Sequence, residues 1–400
     1  MKIAIIQSGN NGFFPRFYKM LRKAIVDNGD DCRLFTPNSG CNRRTILDDQ
    51  IIWGTRFNWY IHALLYKLSG KQDIYSHFST YDLIWKMNRY KPDILHLHVV
   101  NEQILNLPIL INYCNKKHVK VVWTMHDCRA FTGGCPYFEK SSCCKWINGC
   151  KGVCPEPQSS KRHNAMWTWK FRKKYLSKLD SLTVVTPSEW MENYVHKSFL
   201  ANREIKTIYN GVDTFVFSSS QPTDLRCRYN LENKKIILGC GINWEPRKGL
   251  QFFEQVATDL PFDYKIVLVG TVAVRDLSRL AEKGILAVGR TQNVEEMAAW
   301  YQAASVFVNP TLADNFPTTN IEALASGTPV VTFRTGGSPE AVDSHTGIVV
   351  DQYDIAGLKK AIFEVVENPK VYSPQACIER SGKFSAAQYC RYVELYHSII

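Results

Sequence analysis

No stretch of 18 uninterrupted apolar residues occurs in the 400-residue chain, so no segment reads as a membrane-crossing helix. The first apolar run ends in Ser8-Gly9-Asn10-Asn11-Gly12, not in Gly-x-Gly-x-x-Gly. That disfavours an NAD-linked dehydrogenase, which needs those glycines and an acid about 20 residues further on. Asp-x-Asp, a pairing that commonly holds a divalent ion against phosphates, is missing, and no catalytic metal is expected. The amino terminus has one Lys and only four consecutive apolar residues, Ile3 to Ile6. It is too short for a secretory signal, so a cytoplasmic location is expected. Internal repeats and low-complexity tracts are also missing.

Positive charge is plentiful, but in one half only. The net charge is +12; residues 1–215 hold 31 Lys and Arg against 17 Asp and Glu, and residues 216–400 hold 18 against 20. The first half should therefore meet an anionic partner: nucleic acid, a membrane surface or a phosphorylated substrate. Thirteen cysteines are many, and Cys128, Cys135, Cys143, Cys144, Cys150 and Cys154 fall within 27 residues. In a reducing compartment such a cluster is a metal site or a set of free thiols. Cys135, Cys144, Cys150 and Cys154 could make a four-thiolate structural zinc site. Their spacings match no common zinc finger, and unliganded thiols stay equally open.

Short apolar runs alternate with helical periods along the chain. Strands are expected at 2–7, 31–37, 93–98, 120–126 and 181–188, and again at 236–241, 264–270, 284–289, 305–310, 329–333 and 347–350. Such alternation predicts α/β architecture with parallel sheets covered on both faces. The length fits two domains, here 1–213 and 224–384, with a Ser-rich linker at 214–223. Residues 385–400 form a last helix expected to pack back on the first domain. Residues 128–165 have neither period and read as a Cys-rich insertion.

Chemistry concentrates in the second half. Asp314 and Glu322 are separated by seven residues, the first in a loop after a strand and the second on a short helix that ends at Gly327. Helix-start amides can hold a diphosphate, and a carboxylate can accept hydrogen bonds from sugar hydroxyls. Gly336-Gly337-Ser338-Pro339-Glu340 follows, a loop that allows close backbone approach. Lys248 and Glu340 alone would be ordinary surface charges, and His126, in an apolar strand context, an ordinary core histidine. His126 gains interest from its place at a strand end beside Asp127.

From Asp314 to Val331, with VFVNP and GGSPE, the chain resembles the signature of retaining GT-B glycosyltransferases of family four. TMHDCRAFTGGCPYF (124–138), VTPSEW (185–190), IYNGVD (208–213) and Arg247-Lys248-Gly249 extend the resemblance over nearly the whole chain. The blocks look closest to capsule and exopolysaccharide enzymes of the colanic-acid type. The resemblance implies two Rossmann-like doubly wound domains facing a cleft. It implies transfer of a hexose or deoxyhexose from a nucleotide diphosphate sugar to a glycan acceptor, polyisoprenoid-linked, with net retention. Donor-binding residues would be Arg247, Lys248, Asp314, Phe316, Glu322, Gly336, Gly337 and Glu340. His126, Asp314 and Lys248 would take part in catalysis, and Gly9, Asn11 and Gly12 would lie under the diphosphate or acceptor. Two departures stand out: Asp314 replaces the usual Glu, and Asn243 stands where many members carry Arg.

Residues 161–178 hold seven Lys and Arg and no acid, with Trp167, Trp169 and Phe171 interleaved. This segment reads either as a packed helix with solvated charges or as a peripheral contact with the inner membrane face. A nucleic-acid-binding protein with a Cys-cluster metal site would explain the basic half but not the acid pair or GGSPE, so no nucleic-acid partner is expected.

Overall fold

The described strands run from four to nine residues, most of them rich in β-branched or leucine side chains, and they associate into two all-parallel sheets. The structure, a computed structural model, describes residues 1–9, 12–39, 49–100, 103–138, 142–152, 154, 164–219 and 224–400. It divides into two units, Met1–Tyr209 with Gln388–Ile400, and Asn210–Ala387.

In the first unit the strands are β1 (Lys2–Ile6), β2 (Asp31–Pro37), β3 (Gln50–Trp53), β4 (Ile94–Leu97), β5 (Lys120–Thr124), β6 (Leu182–Thr186) and β7 (Glu204–Thr207). Their spatial order is β3-β2-β1-β4-β5-β6-β7. Alternation along β1 sends Ile3 and Ile5 to one face and Ala4 and Ile6 to the other. On the first face, Phe14 and Phe17 of the helix Phe14–Asp27 meet Tyr389, Tyr392 and Tyr396 of the helix Gln388–Ile399. Each fully buried side chain of this size contributes about 1.5–3 kcal/mol. The last helix is thus part of the first unit's core.

The second unit contains β8 (Lys235–Asn243), β9 (Tyr264–Thr271), β10 (Leu286–Gly289), β11 (Val306–Asn309), β12 (Val330–Phe333) and β13 (Gly347–Val350). Here the order is β10-β9-β8-β11-β12-β13. The helix Val294–Ala303 begins as its sequence predicts: Asn293 Oδ1 accepts from the Glu296 N–H at 2.8 Å.

The strands expected from sequence all form, with ends shifted by a residue or two. β3 and β7 were not foreseen; each has four residues, and β7 (Glu-Ile-Lys-Thr) lies at a sheet edge with no buried side chain. The expected linker needs correction. Thr214–Ser218 is a helical turn that buries Phe217, the second unit begins at Asn210, and 220–223 lie outside the described residues. Part of the 128–165 insertion packs into the first core through Cys128, Phe131, Cys135, Phe138 and Trp146.

Candidate active site

In doubly wound sheets, ligands bind beyond the carboxyl ends of strands where the strand order reverses. That point lies between β8 and β11 in the second unit and between β1 and β4 in the first.

Beyond β8 the chain enters a tight turn, Pro246–Lys248, ended by Gly249 at φ 82°. A Cβ on Gly249 would stand 2.3 Å from the Pro310 carbonyl oxygen, so only glycine lets this turn lie against the loop after β11. Two hydrogen bonds lock the loops together. The Leu312 N–H donates to the Arg247 carbonyl at 2.8 Å, and Arg247 Nη1 donates to the Ala313 carbonyl at 2.6 Å. Lys248 Nζ consequently meets Asp314 Oδ2 at 2.8 Å, with Arg247 Nη1 at 3.8 Å. All three side chains are half-buried.

The loop after β12 closes on the same point. Gly336, at φ 54°, leaves room for the Asp314 carbonyl oxygen, which a Cβ would approach to 1.7 Å. The Gly337 N–H donates to the Asn315 carbonyl at 2.7 Å. Beneath lies a polar network that sequence reasoning missed: Asn309 Nδ2 donates to Asn320 Oδ1 at 2.7 Å, and Asn320 Nδ2 donates to Ser338 Oγ at 2.9 Å. These groups are buried, and their mutual satisfaction holds the glycine loop in place.

Glu322, on the helix Thr318–Ala325, is 5% exposed and accepts hydrogen bonds from Tyr301 Oη at 3.2 Å and Thr318 Oγ1 at 3.5 Å. Burial, followed by the neighbouring Cys240 and Glu322, pushes the Tyr301 hydroxyl far above its ordinary range, which keeps it a proton donor. Asn243, which stands where an arginine is usual, lies 3.4 Å from Arg290 Nη2, and Arg290 Nε donates to the Ile242 carbonyl at 3.4 Å. A cation therefore does border this position, supplied from the end of β10. No local sequence signal pointed to it.

Other predicted donor residues are placed differently. Phe316 is buried, its ring 5.4 Å from that of Phe384, so it supports the loop and does not present a free face. Glu340 lies within the helical turn Ser338–Ala341, and its carbonyl accepts from Arg380 Nη2 at 2.7 Å.

In the first unit, His126 follows β5 and His98 follows β4. His98 Nδ1 and His126 Nε2 are 2.8 Å apart, with the rings stacked at 5.1 Å. His126 is half-buried, edge-on to Phe17 at 5.6 Å. Behind them His96 bonds Thr124 Oγ1 at 2.8 Å through Nε2 and Tyr396 Oη at 2.6 Å through Nδ1. Burial lowers the His96 pKa to about 3 and that of His126 to about 4. It also holds His98 well below its usual value, helped by both neighbouring rings. All three are neutral imidazoles at pH 7. His96 and His98 were passed over in the sequence because His-Leu-His in an apolar strand reads as core. After β1, Gln7 Nε2 donates to the Gly9 carbonyl at 3.1 Å and Gly12 takes φ 64°; Asn11 lies outside the described residues.

The cysteines of the 128–154 segment differ in burial. Burial pushes Cys135 up to about 12 and Cys150 up to about 11, and both feel Cys143 and Cys154 as neighbours. Cys144 is exposed. It was chosen over Cys143 because adjacent cysteines look alike in sequence. Among the described residues no group of three or more His, Cys, Asp or Glu side chains is arranged to hold a metal ion. In the basic segment, Arg172 is buried, its Nε 2.7 Å from Asp73 Oδ2, and Trp169 Nε1 donates to the Trp146 carbonyl at 2.7 Å. The helix Ala165–Leu176 is thus packed through residues counted as membrane-facing; 161–163 lie outside the described residues. Among the described residues no helix is long and apolar enough to cross a membrane.

Comparison with known proteins bears on the same elements. Residues 16–215 match Glycosyltransferase Family 4, and residues 234–368 match Glycosyl transferases group 1. A 76-residue stretch is 42% identical to D-inositol 3-phosphate glycosyltransferase of Streptomyces coelicolor, covering 19% of this chain and 17% of that protein. Over 205 residues the chain is 25% identical to N-acetyl-alpha-D-glucosaminyl L-malate synthase of Bacillus anthracis, 48% of this chain and 52% of that one. The chain spans about half or less of these curated relatives, and neither name is that of a colanic-acid or capsule enzyme. Sucrose-phosphate synthase from Thermosynechococcus elongatus shares the fold with TM-score 0.71 at 18% identity, over 99% of this chain and 98% of that one. An Anabaena protein solved with UDP does so with TM-score 0.67 at 15% identity over the whole of both chains. The fold is GT-B.

Proposed function

The chain belongs to glycosyltransferase family 4, and from that premise we propose that it transfers a hexose or deoxyhexose from a nucleoside diphosphate to a lipid-linked glycan acceptor, with retention at the anomeric carbon, in surface polysaccharide synthesis. The observation that carries the donor class is the joining of Lys248 and Arg247 to Asp314 at the β8–β11 reversal, under the Gly336–Gly337 loop. A departing nucleoside diphosphate gains negative charge, and fixed cations in a partly dry site stabilise it most at the transition state. In this reading the diphosphate takes over Lys248 from Asp314, whose carboxylate then accepts from hydroxyls of the donor sugar. Glu322, held by Tyr301 and Thr318, accepts from the ribose hydroxyls. Arg290 adds a third cation near the diphosphate, where the family's usual arginine is replaced by Asn243. No metal is invoked for leaving-group departure, since the two cations supply the charge. His126, neutral and fixed by His98, contributes a hydrogen bond to the sugar or acceptor, not a positive charge.

A thermal-shift panel of nucleotide sugars tests the donor class. A matching donor at about 100 times its dissociation constant stabilises by ~2.7 kcal/mol, and Lys248→Ala should reduce that shift. A panel in which no nucleoside diphosphate sugar raises Tm overturns the donor assignment.

A further inference from the structure

Two helices of the first unit turn their large apolar side chains outward. In the helix Arg56–Ser69, the buried residues are His62 and Tyr66, while Phe57, Leu64 and Leu68 are 71%, 57% and 54% exposed. With Ile61 they recur at four, seven and eleven residues from Phe57, a single stripe along the helix. The helix His77–Tyr90 does the same. It buries Ser79 and Thr80 with Leu83 and Met87, and leaves Phe78, Tyr81 and Trp85 at 77%, 59% and 53% exposure. A surface helix ordinarily shows the reverse polarity. His62 Nδ1 lies 2.5 Å from Ser76 Oγ, which holds the start of the second helix beside the first.

Cations outnumber acids along these helices. Residues 55–91 carry Arg56, Lys67, Lys71, Lys86, Arg89 and Lys91 against Asp73 and Asp82. Asp73 is buried on Arg172, and Asp82 is paired with Lys86. The Arg89 guanidinium lies over the Trp85 ring at 4.2 Å. Aromatic side chains flanked by cations suit the boundary between lipid headgroups and acyl chains. A second copy suits the face poorly. A two-fold contact puts the same patch on both partners, setting these cations against themselves while the segment's two acids are already paired.

We propose that the exposed side chains Phe57, Leu64 and Leu68 of the first helix and Phe78 and Trp85 of the second dock on an anionic lipid bilayer, the apolar groups entering the headgroup boundary and the cations of these helices meeting lipid phosphates. This deepens the lipid-linked acceptor reading and rests on it only for its purpose, because vesicle binding is measured without sugar transfer. The contact is thereby assigned not to the basic segment 161–178, for which a membrane contact was one of two readings, but to helices that expose both apolar surface and charge.

The test uses the full chain and co-sedimentation with vesicles of phosphatidylcholine mixed with phosphatidylglycerol. Native protein should bind, and binding should fall steeply with salt, since attraction is screened over about 8 Å at physiological ionic strength. Phe57→Ser, Leu64→Ser and Phe78→Ser combined should weaken binding at least about tenfold with Tm unchanged, because all three side chains are exposed. Neutralising Lys170, Lys173 and Lys174 to Gln should leave binding within about twofold. Native protein that ignores anionic vesicles overturns the proposal, as does a triple-Ser variant that binds like native. A concentration-dependent dimer abolished by the same three substitutions, with no vesicle binding, overturns it in favour of a second copy. Failure of vesicle binding with donor stabilisation intact leaves the transferase reading standing.

Discussion

The two strand-order reversals are built from opposite materials. In the second unit, Lys248 and Arg247 converge on Asp314, and a buried carboxylate, Glu322, sits on a neighbouring helix. In the first, three neutral imidazoles stack among Phe17, Tyr392 and Tyr396. Equivalent positions in similar sheets therefore favour different ligands. A site of preset charges favours a ligand whose own charge changes during reaction, whereas a site of uncharged donors and rings positions hydroxyl groups without a charge preference. In the proposed function this division assigns the nucleotide diphosphate to the second unit and a sugar or acceptor hydroxyl to the first.

Removing charge from the second unit gives the largest expected effect. Lys248→Ala should lower kcat/KM about 100-fold, ~2.7 kcal/mol of transition-state stabilisation. Glu322→Ala should cost about tenfold, chiefly in donor KM, because a ribose contact is made in both ground and transition states. Steady-state kinetics with folding checked by circular dichroism reads both, and wild-type values in either variant sink that residue's assignment.

The histidines sharpen the comparison through pH. His62, His96 and His126 have folded pKa values lowered to about 4, 3 and 4 by burial, and His98 lies well below its usual value. All four belong to the first unit, whereas the second contains only His345. The unfolded chain takes up these protons near pH 6.5 and the folded unit does not until about 4. Stability is therefore full above pH 6.5 and declines as pH falls through that window, by up to about 1.4 kcal/mol per unit for each histidine. Urea unfolding between pH 7 and 4.5 should show the first unit weakening while the second holds. A first unit as stable at pH 5 as at pH 7 would refute the buried neutral cluster.

Much of this organisation was legible beforehand, for identifiable reasons. Apolar runs such as Ile3–Ile6 and Val306–Val308 carry strand periodicity that burial on both faces enforces, and turn glycines such as Gly249 and Gly336 mark close backbone approaches. The Lys248–Asp314 pairing was not legible, because 66 residues separate partners that only sheet order brings together. Arg290 was missed for the same reason. Arg172 misled because a guanidinium reads as surface charge unless its buried partner is known, and Asp73 lies 99 residues away. The exposed stripe from Phe57 to Leu68 was also invisible, since amphipathic spacing gives a helix's apolar face but not what that face meets.

The smallest effect concerns the thiols and separates two neighbours in the chain. Cys150 Sγ accepts the Gly133 N–H at 3.2 Å, and its side chain packs against the first unit's core. Cys144 is exposed. Cys150→Ala removes an acceptor from a partly buried amide and leaves a small void, so it should cost about 1–2 kcal/mol. Cys144→Ser changes one exposed atom and should stay within about 0.5 kcal/mol. Urea midpoints at constant m-value measure both, and elemental analysis of the same preparations addresses metal directly. One zinc per chain, lost in Cys144→Ser, would support the four-thiolate site expected from the cysteine cluster. Equal stability of Cys150→Ala and the native chain would show that the 128–154 segment does not depend on its packed thiol.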